Sequence, residues 1–370
     1  MRVCFVALGA FPAFARTPGY VGGAQVQQAI LAEYLVEQGV DVSCVCLDCG
    51  QRIGEQFNSI QCFPAYRARA GMPVVRFFHP RITGLWRAMA QADADVYYQR
   101  CAGMETGLVA AFCGRRRRRF VFATGSDADV LPGRQLYLNV RDRALFRYGL
   151  YRAHAVVVQH ESQKALLEHH YGLSGIIIRS AYRLLATPGS GSPRRFILWV
   201  GTMGRVKRPE LFVELARRMP HRQFVMAGGR SNCEPEVFTQ VERAAKGLTN
   251  LRLTGAVPHS EILKYYQEAQ ALVTTSSIEG CPNTWLDAWA TGTPVVSTYD
   301  AGGMLDREQL GLATRDVDGL MQAMHRLAED YGLRQRICRA GVECLVTRHS
   351  VDVVGKQLLA VLQNRQSYSA

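Results

Sequence analysis

At 370 residues with 48% hydrophobic side chains, the chain is long enough for about two domains, each with its own core. No apolar run approaches the roughly 18 residues of a membrane-spanning helix, and Val3–Leu8, with only Arg2 before it, is too short for a secretion signal, so a cytoplasmic location is expected. The net charge of +13 is uneven: residues 1–190 carry 22 Lys and Arg against 13 Asp and Glu, and residues 191–370 carry 22 against 18, which points to an anionic surface or ligand on the first half, whether phospholipid, phosphorylated glycan or nucleic acid.

Arg2–Leu8 reads as a buried strand, followed by a Gly/Pro-rich loop over residues 9–22. Val26, Ile30, Leu31, Tyr34 and Leu35 recur at three- and four-residue steps, which predicts a helix over Gly23–Gln38 closed by Gly39. Val40–Leu47 is the next strand, and a strand–helix–strand unit implies a parallel sheet with a right-handed crossover. Further strands are expected at Val96–Gln99, Phe120–Ala123 and Ala155–Gln159. The Gly/Ser/Pro-rich segment Thr187–Pro193 predicts a linker over residues 186–195. A second alternating series follows, with strands at Phe196–Val200, Phe224–Ala227, Leu251–Thr254, Ala271–Thr275 and Pro294–Ser297. The expected architecture is α/β, two Rossmann-like doubly wound domains over residues 1–185 and 196–350 facing each other across a cleft, with 351–370 a C-terminal helix packing back on the first domain. Such sheets bind ligands outside the carboxyl ends of their strands.

The eleven cysteines form no clean framework. Cys44, Cys46 and Cys49 are the densest group; Cys44 and Cys46 share one face of a strand, but no fourth ligand stands at a metal-motif spacing, so they read as reduced core thiols.

The strongest chemical signal runs from Ser276 to Val296. A strand ends at Thr275, a loop carries Glu279, a helix starts near Asn283 or Thr284, and Gly292 closes it ahead of Pro294. Glu279 and Asp287 are eight apart, one in the loop and one in the first turns of the helix, so both carboxylates can face one cavity. The amides at the start of that helix, at Asn283 and Thr284, can receive phosphate oxygens. The alternative is that Thr284 and Asp287 form only a capping pair and that Glu279 is a solvated loop acid.

This segment resembles the Glu-x7-Glu signature of family 4-type retaining glycosyltransferases, in its wording from Glu279-Gly280 to Pro282-Asn283-Thr284, through Ala288-Trp289-Ala290, to Gly292-Thr293-Pro294-Val295-Val296. The resemblance implies the GT-B fold. It also implies that Glu279 contacts the donor sugar and that Asp287, standing one methylene short of the usual Glu, holds the ribose of a nucleotide. Gly201-Thr202-Met203-Gly204-Arg205-Val206-Lys207, between a strand and a helix, resembles the family's glycine–Arg/Lys loop that neutralises the donor diphosphate, with Arg205 and Lys207 as the cations. Thr202 stands where the family often has Arg. The alternative there is a solvated basic helix start. Gly22-Gly23-Ala24-Gln25 resembles the first-domain glycine loop, which approaches the donor phosphates or the acceptor, and reads otherwise as an ordinary loop-to-helix turn. Gly228-Gly229 and Gly255-Ala256-Val257 resemble the base-binding loops.

Family members often carry a histidine after a first-domain strand, near the anomeric carbon. Here the corresponding strand leads into Gly125-Ser126-Asp127-Ala128-Asp129, so Asp127 is the candidate for that place; His160, after Ala155–Gln159, is the second candidate, or else a surface histidine at a helix start. Asp93-Ala94-Asp95 and Asp127-Ala128-Asp129 imitate the Asp-x-Asp metal motif of the other glycosyltransferase fold, but the resemblance implies metal-free chemistry and no cofactor. The five arginines Arg115–Arg119 read as a solvated turn or an anionic-lipid contact. Pro73–Met89, which mixes Val74, Val75, Phe77, Phe78, Leu85 and Trp86 with Arg76, Arg81 and Arg87, reads as an interfacial segment or as domain packing.

The implied partners are a UDP- or GDP-linked sugar donor, a glycan or lipid-linked acceptor and an anionic membrane contacted peripherally at its inner face. Nucleic acid is not expected, for want of interleaved aromatics. The implied route is front-face substitution with retention at the anomeric carbon, with the leaving phosphate taking the acceptor proton. A same-fold epimerase or glycan phosphorylase and a non-catalytic sugar- or lipid-binding protein are the rivals. A nicotinamide oxidoreductase is disfavoured, because no Gly-x-Gly-x-x-Gly follows Val3–Leu8.

Overall fold

The structure, a computed structural model, describes residues 1–17, 21–72, 75–135, 139–184 and 193–364. Residues 186–192 of the expected linker, Pro73 and Val74 of the arginine–aromatic segment, and residues 365–370 of the tail lie outside the described residues. The chain folds as two units, one built from Met1–Arg183 together with the C-terminal helix, the other from Leu184–Ser350.

The first unit holds an eight-stranded sheet: β1 (Arg2–Val6), β2 (Asp41–Cys46), β3 (Glu55–Phe57), β4 (Ile60–Pro64), β5 (Val96–Arg100), β6 (Arg119–Ala123), β7 (Ala155–Val158) and β8 (Gly175–Ile177), in the order β3-β4-β2-β1-β5-β6-β7-β8. Every pair is parallel except β3–β4, a hairpin turned by Asn58 and Ser59, both at positive φ (50° and 63°) as a two-residue primed turn requires. Both faces of the sheet are covered. Along β1, Val3 and Phe5 enter one core and Cys4 and Val6 the other; along β6, Val121 and Ala123 oppose Phe120 and Phe122. That two-sided burial is why these strands read as continuous apolar runs rather than alternating ones. Helix Gly23–Glu37 crosses from β1 to β2 and buries Leu31, Tyr34 and Leu35. The C-terminal helix Val351–Gln363 lies on it through Gly355, where a Cβ would sit 2.2 Å from the Tyr34 ring, and Arg119 donates to the Asn364 carbonyl at 2.7 Å just beyond its end.

The second unit is a six-stranded, all-parallel sheet of β9 (Phe196–Val200), β10 (Phe224–Ala227), β11 (Leu251–Gly255), β12 (Ala269–Thr274), β13 (Val295–Ser297) and β14 (Leu312–Ala313), in the order β11-β10-β9-β12-β13-β14. The winding runs outward one way from β9 to β11 and the other way from β12 to β14, so the switch point falls between β9 and β12. In the first unit the same reversal falls between β1 and β5. Both units are therefore Rossmann-like α/β, as the alternation of elements predicted. The expected strands are all present, two with the expected bounds and the others with ends moved by one or two residues; β3, β4, β8 and β14 were not expected.

Candidate functional site

The loops that leave β9 and β12 at the second switch point are tied together by their own backbone. Ser277 N–H donates to the Val206 carbonyl at 2.8 Å and the Thr275 hydroxyl donates to the Lys207 carbonyl at 2.6 Å. Arg208, at φ +44°, turns the chain from the short turn Arg205–Lys207 into helix Pro209–Arg218. Its guanidinium donates to the Thr275 carbonyl at 2.8 Å and the Thr298 hydroxyl at 2.7 Å, so it ties the β9 loop to the ends of β12 and β13.

This lacing brings Lys207 and Glu279 together, the ammonium donating to the carboxylate. Both are partly withdrawn from water, the Lys207 side chain 31% exposed and that of Glu279 16%. Tyr299, just after β13, donates its hydroxyl to the Glu279 carbonyl at 3.0 Å and fixes the loop from the far side. Helix Asn283–Ala290 starts directly after Pro282, which is its N-cap, and has no side-chain cap. The Thr284–Asp287 capping pair is therefore not what this helix uses. Trp285 and Trp289 anchor the helix inward, donating their indole N–H groups to the Thr274 hydroxyl and the Leu310 carbonyl, each at 3.1 Å, and Asp287 is buried on the same helix. At the other end Gly292 takes φ +62°, and Arg194 donates to the Gly292 carbonyl at 2.7 Å, a cation at the negative end of the helix dipole.

Arg205 is not brought to this pair. Its backbone N–H donates to Glu234 at 3.0 Å, its guanidinium lies 3.0 Å from the Glu236 carboxylate, and its side chain is 70% exposed. The glycines of the neighbouring loops serve close approach: a Cβ on Gly228 would lie 2.1 Å from the Gly201 carbonyl oxygen and 3.0 Å from the Trp199 ring. Met203 N–H donates to the Gly229 carbonyl at 3.0 Å and Gly228 N–H to that of Gly255 at 2.9 Å, so the loops after β9 and β10 and the end of β11 form one floor.

In the first unit, Gly22 is the extended N-cap of helix Gly23–Glu37. The sequence candidates Asp127 and His160 turn out to be partners: the Asp127 carboxylate is 3.0 Å from His160 Nε2 and accepts from the Gln163 amide at 3.0 Å. His160 caps helix Glu161–Tyr171 by accepting the Gln163 N–H on Nδ1, at 3.4 Å; its Nε2 is buried and, although 3.0 Å from the Asp127 carboxylate, lacks the geometry of a hydrogen bond. The surface reading of His160 is corrected: the residue stands at the helix start but is buried, 6% exposed. Asp129 faces elsewhere, accepting the Gly125 N–H at 2.6 Å, and burial pushes its carboxyl above the usual range. Asp93 and Asp95 hold Arg2 and Arg118. Arg118 and Arg119 of the arginine run are thus engaged, while Arg115, Arg116 and Arg117 are exposed. Cys44 and Cys46 are buried free thiols; Cys49 is exposed. Among the described residues no group of three or more His, Cys, Asp or Glu side chains is placed to hold a metal ion.

Two family models match this chain. Residues 21–182 match Glycosyltransferase Family 4, and residues 194–330 match Glycosyl transferases group 1. The chain belongs to these glycosyltransferases. The lipopolysaccharide core biosynthesis glycosyltransferase LpsE of Rhizobium meliloti (strain 1021) is 35% identical over 97 residues, 25% of this chain and 28% of that relative, and the D-inositol 3-phosphate glycosyltransferase of Thermobifida fusca (strain YX) is 24% identical over 220 residues, 51% of this chain and 50% of that relative, so the chain spans half or less of the length of these curated relatives. Among solved structures, sucrose-phosphate synthase from Thermosynechococcus elongatus superposes with a TM-score of 0.80 at 17% identity, covering 98% of both chains. The Anabaena protein Alr3699/HepE, solved in complex with UDP and glucose, superposes with a TM-score of 0.77 at 14% identity, covering 98% of this chain and 99% of its own. The fold is GT-B.

Three residues of this glycosyltransferase's second-unit site were missed in the sequence. Arg208 was passed over in favour of Arg205, although its place one residue ahead of the helix proline Pro209 marks a turning point. Tyr299 and Glu234 lie outside the signature segments, and nothing in their spacing ties them to Glu279 or Arg205.

Proposed function

We propose that this glycosyltransferase moves a hexosyl unit, with retention at the anomeric carbon, from a UDP- or GDP-linked donor onto a glycan or lipid-linked acceptor in the synthesis of cell-surface polysaccharide, lipopolysaccharide or glycolipid. The observation that carries the reading is the Lys207–Glu279 pair at the switch point of the second sheet. A fixed ammonium meets the charge that grows on a departing diphosphate, and a carboxylate beside it orients the sugar hydroxyls. In the transfer, the bond from the anomeric carbon to the donor phosphate oxygen breaks and the acceptor oxygen bonds to the same face. The acceptor proton passes to the leaving phosphate, and Lys207 stabilises the charge that remains. Arg205 joins Lys207 on the diphosphate by releasing Glu236, an exchange its exposure permits. Asp287, with the amides of Asn283 and Thr284, takes the nucleotide side. Gly201 belongs to the floor beneath the phosphates, and Gly22 and Gly23 to the helix start of the first unit. The Asp127–His160 pair is assigned to the acceptor side. Because the positive charge is supplied by side chains, the reaction runs without metal or cofactor.

The UDP and glucose of the Anabaena relative support a uridine-linked donor, and the lipopolysaccharide-core role of LpsE supports a lipopolysaccharide acceptor. The test is transfer from UDP-glucose, UDP-N-acetylglucosamine or GDP-mannose to a lipopolysaccharide-core acceptor, with the product anomer read by proton NMR. Retention is expected; an inverted product, or donor turnover that needs no acceptor, contradicts the reading.

A further inference from the structure

The first sheet reverses its winding between β1 and β5, and the residue that ends β5 there is Arg100. Sheets of this kind take ligands at such a point, outside the carboxyl ends of their strands. Side chains alternate along β5, so Arg100 shares a face with Tyr98, whose ring packs on Phe5 with centroids 5.1 Å apart and whose hydroxyl lies beside the guanidinium. The Arg100 Nε is buried and has no hydrogen-bond partner, and among the described residues no carboxylate forms an ion pair with this side chain. Asp129 stands near enough to feel its charge, but that carboxyl is spent on the backbone N–H groups of Gly125 at 2.6 Å and Ser126 at 3.4 Å, and burial pushes it above the usual range, which makes it a poor counter-ion.

The chain holds Arg100 in place at a cost. Cys101 takes φ +75°, a region sparsely populated outside glycine. The buried Gln99 amide donates to the Arg100 and Cys101 carbonyls at 3.0 and 2.6 Å and accepts the Thr106 hydroxyl at 2.9 Å. From the loop after β6, Gly125 closes on the same turn, where a Cβ would lie 2.3 Å from Cys101 Sγ. A second unmatched atom lies at this end of the sheet. Gln27 of helix Gly23–Glu37 exchanges hydrogen bonds of 2.9 and 2.6 Å with the backbone of Ala181, beyond the end of β8, and the next residue, Gln28, is buried with its Oε1 unpartnered. Buried polar atoms without partners are destabilising, the more so when charged, and a fold that keeps them has a use for them.

We propose that Arg100 receives an anionic group, carboxylate or phosphate, on the acceptor sugar, so that the first unit selects acidic acceptors over neutral ones. A guanidinium with an unspent N–H donor meets either oxyanion in a planar two-point contact, whereas a neutral sugar leaves the charge unmatched. The donor diphosphate has its own cation in Lys207 of the second unit. The inference rests on the reading of the first unit as the acceptor side and names the kind of acceptor that side takes.

The test is nitrogen-15 NMR of the full chain labelled at arginine. The Arg100 Nε–H signal, assigned by its loss in Arg100→Lys, is followed as glucose 6-phosphate, glucuronate, glucose or UDP is added alone. It is expected to shift with the two acidic sugars and to stay in place with glucose and with UDP. Arg100→Gln, shown to be folded by its melting temperature, weakens the acidic sugars about tenfold or more and binds UDP as the wild type does, and Arg100→Lys recovers part of the affinity. The wild-type titrations decide the matter even where Arg100→Gln fails to fold. The proposal is overturned by any of four results: no shift with either acidic sugar, an equal shift with glucose, a shift with UDP, which assigns the cation to the donor phosphates, or a folded Arg100→Gln that binds the acidic sugars as the wild type does. A protein that binds them through Arg100 but transfers no sugar refutes the transfer reading and leaves this one standing.

Discussion

Replacing Lys207 by alanine separates what the pair does for the fold from what it does for the reaction. Its side chain is 31% exposed and that of Glu279 16%, so the ion pair lies near the surface. Such a pair contributes no more than about 1 kcal/mol, which for a domain of this size moves the melting temperature by roughly 2–4 °C. The charge lost from the leaving diphosphate is a larger matter. Removing one preorganised donor to a developing oxyanion costs about 2.7–4 kcal/mol, or roughly 10²–10³ in kcat. Lys207→Ala is therefore expected to melt nearly where the wild type does and to transfer sugar at least about a hundredfold more slowly, with Lys207→Arg recovering part of the rate because it keeps the charge but not the point geometry. The assay is initial-rate kinetics against donor concentration, which separates kcat from KM. An unchanged kcat in a folded Lys207→Ala protein refutes the assignment of the leaving-group cation.

Gly228→Ala drives a methyl group into the Gly201 carbonyl and the Trp199 ring, and is expected to cost about 1–3 kcal/mol in chemical denaturation; a neutral effect means the loops after β9 and β10 are not packed as described. Asp127→Ala strips the acceptor from the buried Gln163 amide, and a loss of about 1–3 kcal/mol is expected from the donor left over; an unchanged stability contradicts this packing. Burial raises the Asp129 carboxyl, so its favourable contribution is complete below the unfolded-state value of about 3.9 and is lost as pH rises through the folded value. Asp129→Asn should flatten that limb of the stability–pH curve, and a curve identical to the wild type's contradicts the burial argument. Chelation with EDTA is expected to leave the transfer rate unchanged; a collapse restored by Mg²⁺ would assign the diphosphate charge to a metal instead of Lys207.

The α/β alternation was legible because both sheets are buried on both faces, so β1, β6, β9 and β12 stand out as apolar runs between helical periods. The short edge strands were not, since β3 contains Glu55 and Gln56 and β14 has two residues, and neither has an apolar run to announce it. At the site, Lys207 and Glu279 could be named from loop positions at strand ends. Their direct contact depends on Thr275, Ser277 and Arg208 lacing two loops some 70 residues apart, a long-range consequence of β9 lying beside β12. Arg205 shows the converse: its charge and place in the loop suggested a partner for Lys207, but the acids of the 234–236 turn hold it. The burial of His160 was hidden for a similar reason, because Asp127, 3.0 Å from its ring, comes from a different element some 30 residues earlier.

Binding of a nucleoside diphosphate to the folded chain tests the central assignment most directly, without requiring that the acceptor be known. Thermal melting is followed with UDP, GDP, ADP or CMP, for the wild type and for Lys207→Ala. One nucleotide at about a hundred times its Kd should add about 2.7 kcal/mol and raise the wild-type melting temperature by several degrees, with the shift largely lost in the variant. No shift with any of the four, or an equal shift in both proteins, contradicts the account.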